Sequence, residues 1–173
     1  MILQHLQLPQ IRLDHGQAHI AVRAGPRPDE GDYIAQHLAE LSSGFYASKS
    51  YIEKYGMPKN IEQLQQHSFV SGVAGYNGKV PYFAWVDQHI EPSQIKLRVS
   101  ETSEATRAIV RGLGIGGLQH EVASQYPELL PVLPKELNWP TDLWLVTHHL
   151  VHRTAKVQAF SQLLKAYFKD LKA

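Results

Sequence analysis

Three groups of residues in this sequence have the types and spacing to do chemistry. The first is His148-His149-x-x-His152, the densest part of a chain with ten histidines. Imidazole nitrogens ligate zinc, but if His148 and His149 end a strand their side chains point to opposite faces. Asp142 is the only carboxylate close by in sequence. A solvated surface cluster is the plainer reading, and no metal is expected. His5, His15, His19, His37, His67, His89 and His120 are scattered without ligand spacing. The second group is Gly112-Leu113-Gly114-Ile115-Gly116-Gly117, which matches G-x-G-x-x-G. A dinucleotide fingerprint needs those glycines between a strand and the helix that follows, so that the helix start faces the pyrophosphate. Here a helix precedes and a strand follows, so helix termination and close backbone approach explain the glycines better. The third group is Ser100, Thr102 and Ser103, where a strand hands over to a helix. Hydroxyls and free N–H groups at a helix start suit a carboxylate or phosphate. Thr102 or Ser103 could equally cap its own helix, and the two roles are compatible.

Nothing else points to catalysis. The chain has no cysteine, which removes thiolate nucleophiles, disulfides and iron–sulfur ligands. No Gly-x-Ser-x-Gly is present. Glu101 and Glu104 read as structural charges favoured near a helix start, and Arg107 and Arg111 as one solvated or interface helix face. Tyr82, Phe83 and Trp85 read as core and sheet face. No enzyme activity and no cofactor are expected.

The elements that must position these residues read as follows. Gln10 to Leu13 and His19 to Arg23 are strand-like, and residues 25–31 are a loop dense in glycine and proline. Phe45 to Ala47 is a short aromatic strand. Ser48 to Gly56 is a helix, with a capping box from Ser50 and Glu53 and a glycine stop before Pro58. Asn60 and Gln63 start a second short helix over Ile61 to Gln66. Ser68 to Ser71 and Tyr82 to Val86 read as strands around the turn at Gly72 to Gly78. Ile95 to Val99 alternates as a half-wet strand. A helix then runs from Thr102 or Ser103 to Gly112. Ile115 to Leu118 and Leu129 to Leu133 are strands flanking a short helix over His120 to Tyr126. Leu143 to Thr147 is a strong strand. Thr154 caps a final helix whose Val157, Phe160, Leu164, Tyr167, Phe168 and Leu171 follow the 3.6-residue period. Strands alternate with helices, which indicates an α/β fold with a mainly parallel sheet.

The 173 residues suit one domain, or two small ones sharing a core. Hydrophobic residues at 43% and charged residues at 19% are ordinary for a globular chain. The net charge of +1 gives no global field to drive binding of nucleic acid or acidic lipid, which leaves only a local basic patch open. Residues 1–16 lack the basic start and apolar run of a signal peptide, and no apolar run approaches the roughly 18 residues of a membrane span. A cytoplasmic location without membrane contact is expected.

The order of these pieces resembles the effector-binding domain of LysR-type transcriptional regulators. Tyr46 to Pro58 (YASKSYIEKYGMP) is similar to the family's "ASPAYLARHGTP", and Ile61 to His67 to the "DLxxH" after it. His19 to Gly25 resembles "DIAIRxG", and Val99 to Gly117 resembles a strand followed by "E-A-x-R-x-x-x-x-G-L-G-I". Val157 to Phe168 resembles the closing "vraFxxfL" helix. The resemblance spans roughly residues 10–171.

It implies a type 2 periplasmic-binding-protein-like fold: two α/β subdomains with a ligand cleft between them. Residues 1–42 and 150–173 would form subdomain I and residues 43–149 subdomain II. Gly25 would lie near the first crossing, Ser100 and Thr102 would face the cleft, and Gly117 would bring backbone close to it. With Ser103 these are the candidate effector-binding residues. The implied partners are a small, anionic effector and further copies of the chain in an oligomer, with a dimer expected. DNA would be met only through a helix-turn-helix domain absent from this chain, and subdomain I is expected to be incomplete on its N-terminal side. A transport-type solute-binding protein of the same architecture is the competing reading. An enzyme built on the histidine cluster is the third.

Overall fold

A computed structural model of the chain describes residues 18–29, 31–73 and 80–170. The strand read at Gln10 to Leu13, most of the turn after Gly72, and Leu171 lie outside these residues. The chain divides into one unit of Met1–Leu41 with Thr141–Ala173 and a second of Ser42–Pro140.

In the first unit, β1 (Ile20–Ala24) pairs antiparallel with the second half of β7 (Asn138–His148), from Ile20 opposite Thr147 to Ala24 opposite Leu143. That pairing is why residues 141–149 group with this unit, although the resemblance had placed them in the other. Gly25 ends β1 with φ of 111°, a conformation that costs glycine little. Its N–H donates to the Asp142 carbonyl at 2.9 Å, and its own carbonyl accepts from Trp144 Nε1 at 2.9 Å. The long strand β2 (Tyr33–Ser48) begins here. After β7 come α5 (His149–His152) and α6 (Ala155–Asp170). Thr154 precedes α6, and its carbonyl accepts from the Gln158 N–H at 3.0 Å. Its hydroxyl instead turns back to the Val151 carbonyl at 2.8 Å, so the side-chain cap expected there is not made. The apolar stripe of α6 is broader than the contact it makes. Val157 is buried, whereas Phe160, Leu163 and Tyr167 on the neighbouring face are 48%, 64% and 59% exposed.

In the second unit, the end of β2 pairs antiparallel with β5 (Gly116–Gln119) and then with β6 (Leu129–Val132). β3 (Phe69–Gly72) and β4 (Ile95–Val99) are parallel, and Phe69 bridges Ile115 in parallel. The mainly parallel sheet expected from the alternation of elements is therefore corrected. Alternation fixes the order of strands and helices, not the direction in which each strand meets a long strand such as β2.

Local chemistry explains the helices. Ser48 caps α1 (Lys49–Tyr55) by accepting from the Tyr51 N–H at 3.2 Å, two residues before the expected Ser50 cap. Ser50 Oγ pairs with Ser48 Oγ at 3.0 Å instead. Gly56 closes the helix at φ 83°. Asn60 Oδ1 accepts from the Gln63 N–H at 3.0 Å and starts the 3-10 turn Glu62–Gln66 as read. The strand expected at Tyr82 to Val86 is in fact α2 (Pro81–His89). Pro81 presets the first helical φ, and Tyr82, Phe83 and Val86 turn to one buried face. Burial there overrides the strand preference of aromatic and β-branched residues. The core centres on Phe45, 1% exposed, with its ring against Phe69, Trp85 and Trp139.

A titratable side chain lies in the core. His67 is 7% exposed, and burial holds its pKa below the usual 6.5. Tyr51 Oη accepts from the Ser68 N–H at 2.8 Å and lies 3.2 Å from His67 Nδ1, within hydrogen-bonding distance. The folded chain thus favours neutral His67, and the unfolded chain takes up a proton from about pH 6.5 downward. The stability from this burial is complete above that pH and lost as pH falls through the lowered folded value, at no more than about 1.4 kcal/mol per pH unit. Melting temperature should fall between pH 7 and pH 5, and less steeply in His67→Gln. Equal slopes in both proteins would refute the assignment.

Candidate functional site

β4 and β3 run parallel, and the chain leaves the carboxyl end of β4 through Ser100 and Glu101 into α3 (Thr102–Val110). Ligands of α/β sheets settle beyond such strand ends. The end is held firmly. The Val73 N–H donates to the Val99 carbonyl at 2.9 Å, and the Arg98 guanidinium reaches the Gly72 carbonyl and Asp87 Oδ1, both at 2.8 Å.

The cap of α3 is neither Thr102 nor Ser103. Glu101 is the cap residue and forms a capping box with Glu104, whose Oε2 accepts from the Glu101 N–H at 3.3 Å. This corrects the expected cap and frees the hydroxyls. Among the described residues, those of Ser100, Thr102 and Ser103 hold no hydrogen bond; Thr102 contributes only its carbonyl, which accepts from the buried Thr106 hydroxyl at 2.9 Å. Three hydroxyls therefore stand beside the first N–H groups of a nine-residue helix, whose start carries partial positive charge. The carboxylates of Glu101 and Glu104 oppose that charge at the same end.

Gly117, on β5, lies under a side chain. A Cβ built on it would meet Tyr82 Cδ2 at 2.0 Å, so the close approach that this glycine allows is filled by the Tyr82 ring. Gly25 belongs to the first unit. The structure thus brings Ser100, Thr102 and Ser103 together on one strand-to-helix turn, and places Gly117 beneath Tyr82.

The other sequence groups resolve into structure. Gly112 ends α3 at φ 76°. Gly114 packs on the Ser68 backbone and Gly116 on Ile109. None of these glycines opens a helix, as a dinucleotide site would require. His148 and His149 do not diverge as expected: their rings stack at 4.6 Å because His149 already begins α5. His152 Nδ1 is bonded to Thr147 Oγ1 at 2.9 Å. No group of three or more metal-ligating side chains occurs among the described residues.

One constellation escaped the sequence reading. Tyr46 Oη lies 2.7 Å from His120 Nδ1, and His120 Nε2 lies 3.1 Å from Asn138 Oδ1. With the amide oxygen accepting from Nε2–H, Nδ1 accepts the Tyr46 proton. Burial, and secondarily the Glu121 charge, push the Tyr46 phenol above its ordinary range. No spacing could have revealed it, since residues 46, 120 and 138 meet only through the pairing of distant strands.

Comparison with known proteins places the chain. Residues 5–169 match the model of the LysR substrate binding domain. An HTH-type transcriptional regulator of Xanthomonas campestris pv. campestris (strain 8004) is 38% identical over 74 residues, which cover 36% of this chain and 21% of that protein. The chain thus spans about a fifth of the curated relative that it matches. Among solved structures, the CrgA regulatory domain of Neisseria meningitidis, a LysR-type transcriptional regulator, has a TM-score of 0.73 at 21% identity, over 91% of this chain and 79% of that one. Full-length AphB of Vibrio cholerae has a TM-score of 0.72 at 20% identity, over 94% and 56%. The CcmR regulatory domain of Synechocystis PCC6803 has a TM-score of 0.68 at 17% identity, over 91% and 77%. These likenesses fix a mixed α/β, periplasmic-binding-protein-like fold. No helix among the described residues is long and apolar enough to cross a membrane. With its match running from residue 5 to residue 169, the chain belongs to the LysR substrate-binding domain family.

Proposed function

We propose that this chain is the ligand-sensing part of a transcription regulator, and that a small organic anion binds at the start of α3. The observation that carries the reading is the set of unspent hydroxyls on Ser100, Thr102 and Ser103 at a helix start beyond parallel strands. The Synechocystis CcmR regulatory domain was solved in complex with 2-PG, which supports a small-molecule ligand. Gly117 joins the proposed binding set by admitting the Tyr82 ring that would shape the pocket wall. A ligand that binds one arrangement of the domain better than another shifts the population toward it. In an oligomer this would change how DNA-reading domains outside the chain are held.

Thermal shift against a panel of small carboxylates and phosphates tests the reading. An active anion raises the melting temperature in proportion to the logarithm of its concentration over Kd. Ser100→Ala with Thr102→Val should weaken it about tenfold or more, since one hydrogen bond to a charged group is worth at least that. Glu101→Gln should tighten it by removing an opposing carboxylate. A panel without any shift, or a shift unchanged in the double variant, would overturn the proposal.

A further inference from the structure

Two strands cross the boundary between the units. β2 passes it at residues 41 and 42, and β7 at residues 140 and 141. The two strands are neighbours in the sheet. At the boundary both are built from poor strand formers. β2 carries Ser42, Ser43 and Gly44, and glycine in a strand interior loosens it. β7 carries Pro140, which has no N–H to give to the ladder. Among the described residues, no side-chain hydrogen bond, ion pair or ring contact joins residues 38–44 of β2 to residues 140–141 of β7.

Side chains tie the strands together at either end of this stretch. In the first unit His37 Nε2 lies 2.8 Å from Asp142 Oδ1, and the His37 ring meets Trp144 edge-on at 5.3 Å. In the second unit the tie runs through a third element. Asn138 Oδ1 lies 3.1 Å from His120 Nε2, and Tyr46 Oη lies 2.7 Å from His120 Nδ1. His120 opens α4 (His120–Ala123). Its Cε1 lies 3.0 Å from where Gly44 would carry a Cβ, so the glycine that loosens β2 also makes room for the ring. The Phe45 and Trp139 rings, 5.1 Å apart, back this tie. Bending concentrates in a few residues that can absorb backbone change. We infer that residues 42–44 and 140–141 form a hinge, and that His37 and His120 are positioning residues that fasten its two strands at either end and so set how far it bends. Such a hinge operates whatever binds at the start of α3.

Amide hydrogen exchange of the whole chain, read residue by residue, tests this. Tyr46→Phe keeps the ring and removes the hydroxyl, and His37→Ala removes the other tie. Each should speed exchange at residues 39–44 about two- to tenfold, the worth of one hydrogen bond, and leave β3 and β4 at the parent rate. Asn138→Ala should reproduce Tyr46→Phe. Asp142→Asn keeps an oxygen that accepts from His37 and should hold the parent rate, whereas Asp142→Ala should match His37→Ala. His149→Ala, outside both ties, should leave residues 39–44 unchanged. The chain has no cysteine, so Glu62→Cys and Lys165→Cys, both exposed, accept one spin label in each unit. The distribution of distances between the labels should broaden when Tyr46→Phe and His37→Ala are combined. Unchanged exchange at residues 39–44 in both single variants would overturn the inference. So would faster exchange spread evenly over both units, the mark of lost global stability, or a distance distribution that does not broaden in the double variant.

Discussion

Phe45→Ala should destabilise the second unit by about 3–5 kcal/mol, the range for emptying a buried aromatic position. That is a large part of the roughly 5–15 kcal/mol that holds an ordinary domain together. The ring is 1% exposed, and its centroid lies 5.7 Å from Phe69, 5.4 Å from Trp85 and 5.1 Å from Trp139. Those partners come from β3, α2 and β7, so one side chain joins three elements to β2. The hole cannot close easily, because the Phe45 backbone is fixed on both sides, opposite Gly117 of β5 and Val132 of β6. Cost follows the residual cavity, which puts the effect at the upper end. Phe45→Leu keeps most of the volume and should cost about half as much. Urea unfolding followed by tryptophan fluorescence measures both, because Trp85 and Trp139 touch the mutated ring. A loss for Phe45→Ala below about 1.5 kcal/mol would show that this ring is not the keystone of the core.

Which parts of this architecture could be read from sequence follows from where the deciding interaction lies. Ile95–Val99, the Asn60 start signal and the Gly112 stop were legible because each is set within a few residues. The first part of β2 was not. Its burial along Tyr33–Leu41 follows no clean alternation, so period two never shows. The helix at Pro81–His89 was hidden by aromatic residues that favour strands when isolated. The true cap of α3 was missed because glutamate is not among the preferred cap residues; Glu101 succeeds through its reciprocal bond with Glu104. The candidate site was legible in outline, since hydroxyls at a strand-to-helix turn are a local pattern. What covers Gly117 was not, because Tyr82 reaches it from 35 positions away in sequence. The Tyr46–His120–Asn138 chain was invisible for the same reason.

The glycines show most sharply how a motif can match in letters while its physics lies elsewhere, and Gly114→Ala turns this into a measurement. The expected loss is about 3 kcal/mol or more, for a single methyl group. Gly114 has no left-handed backbone, so no dihedral penalty enters, and the cost is wholly steric. A Cβ there would stand 2.5 Å from the Ser68 carbonyl oxygen, 2.8 Å from its carbon and 3.1 Å from the Phe69 nitrogen. All three atoms are backbone and cannot rotate aside. Relief requires the approach to β5 to withdraw from β3, and that strains two hydrogen bonds: Ile115 N–H to the Ser68 carbonyl and Val70 N–H to the Ile115 carbonyl, each 2.8 Å. Val70 and Ile115 are fully buried, so water cannot replace the lost partners, and each unsatisfied group costs about 1–3 kcal/mol. Two other glycines calibrate the result. Gly31 has open space around its Cβ position and no positive φ, so Gly31→Ala should change stability by less than about 0.5 kcal/mol. Gly56 also has open space but sits at φ 83°, so Gly56→Ala should cost about 1 kcal/mol, from the dihedral alone. Denaturant midpoints for the three variants should therefore rank Gly31, Gly56, Gly114 in order of increasing damage. If Gly114→Ala proved no worse than Gly56→Ala, close packing of the Ser68 backbone would not be what demands glycine there.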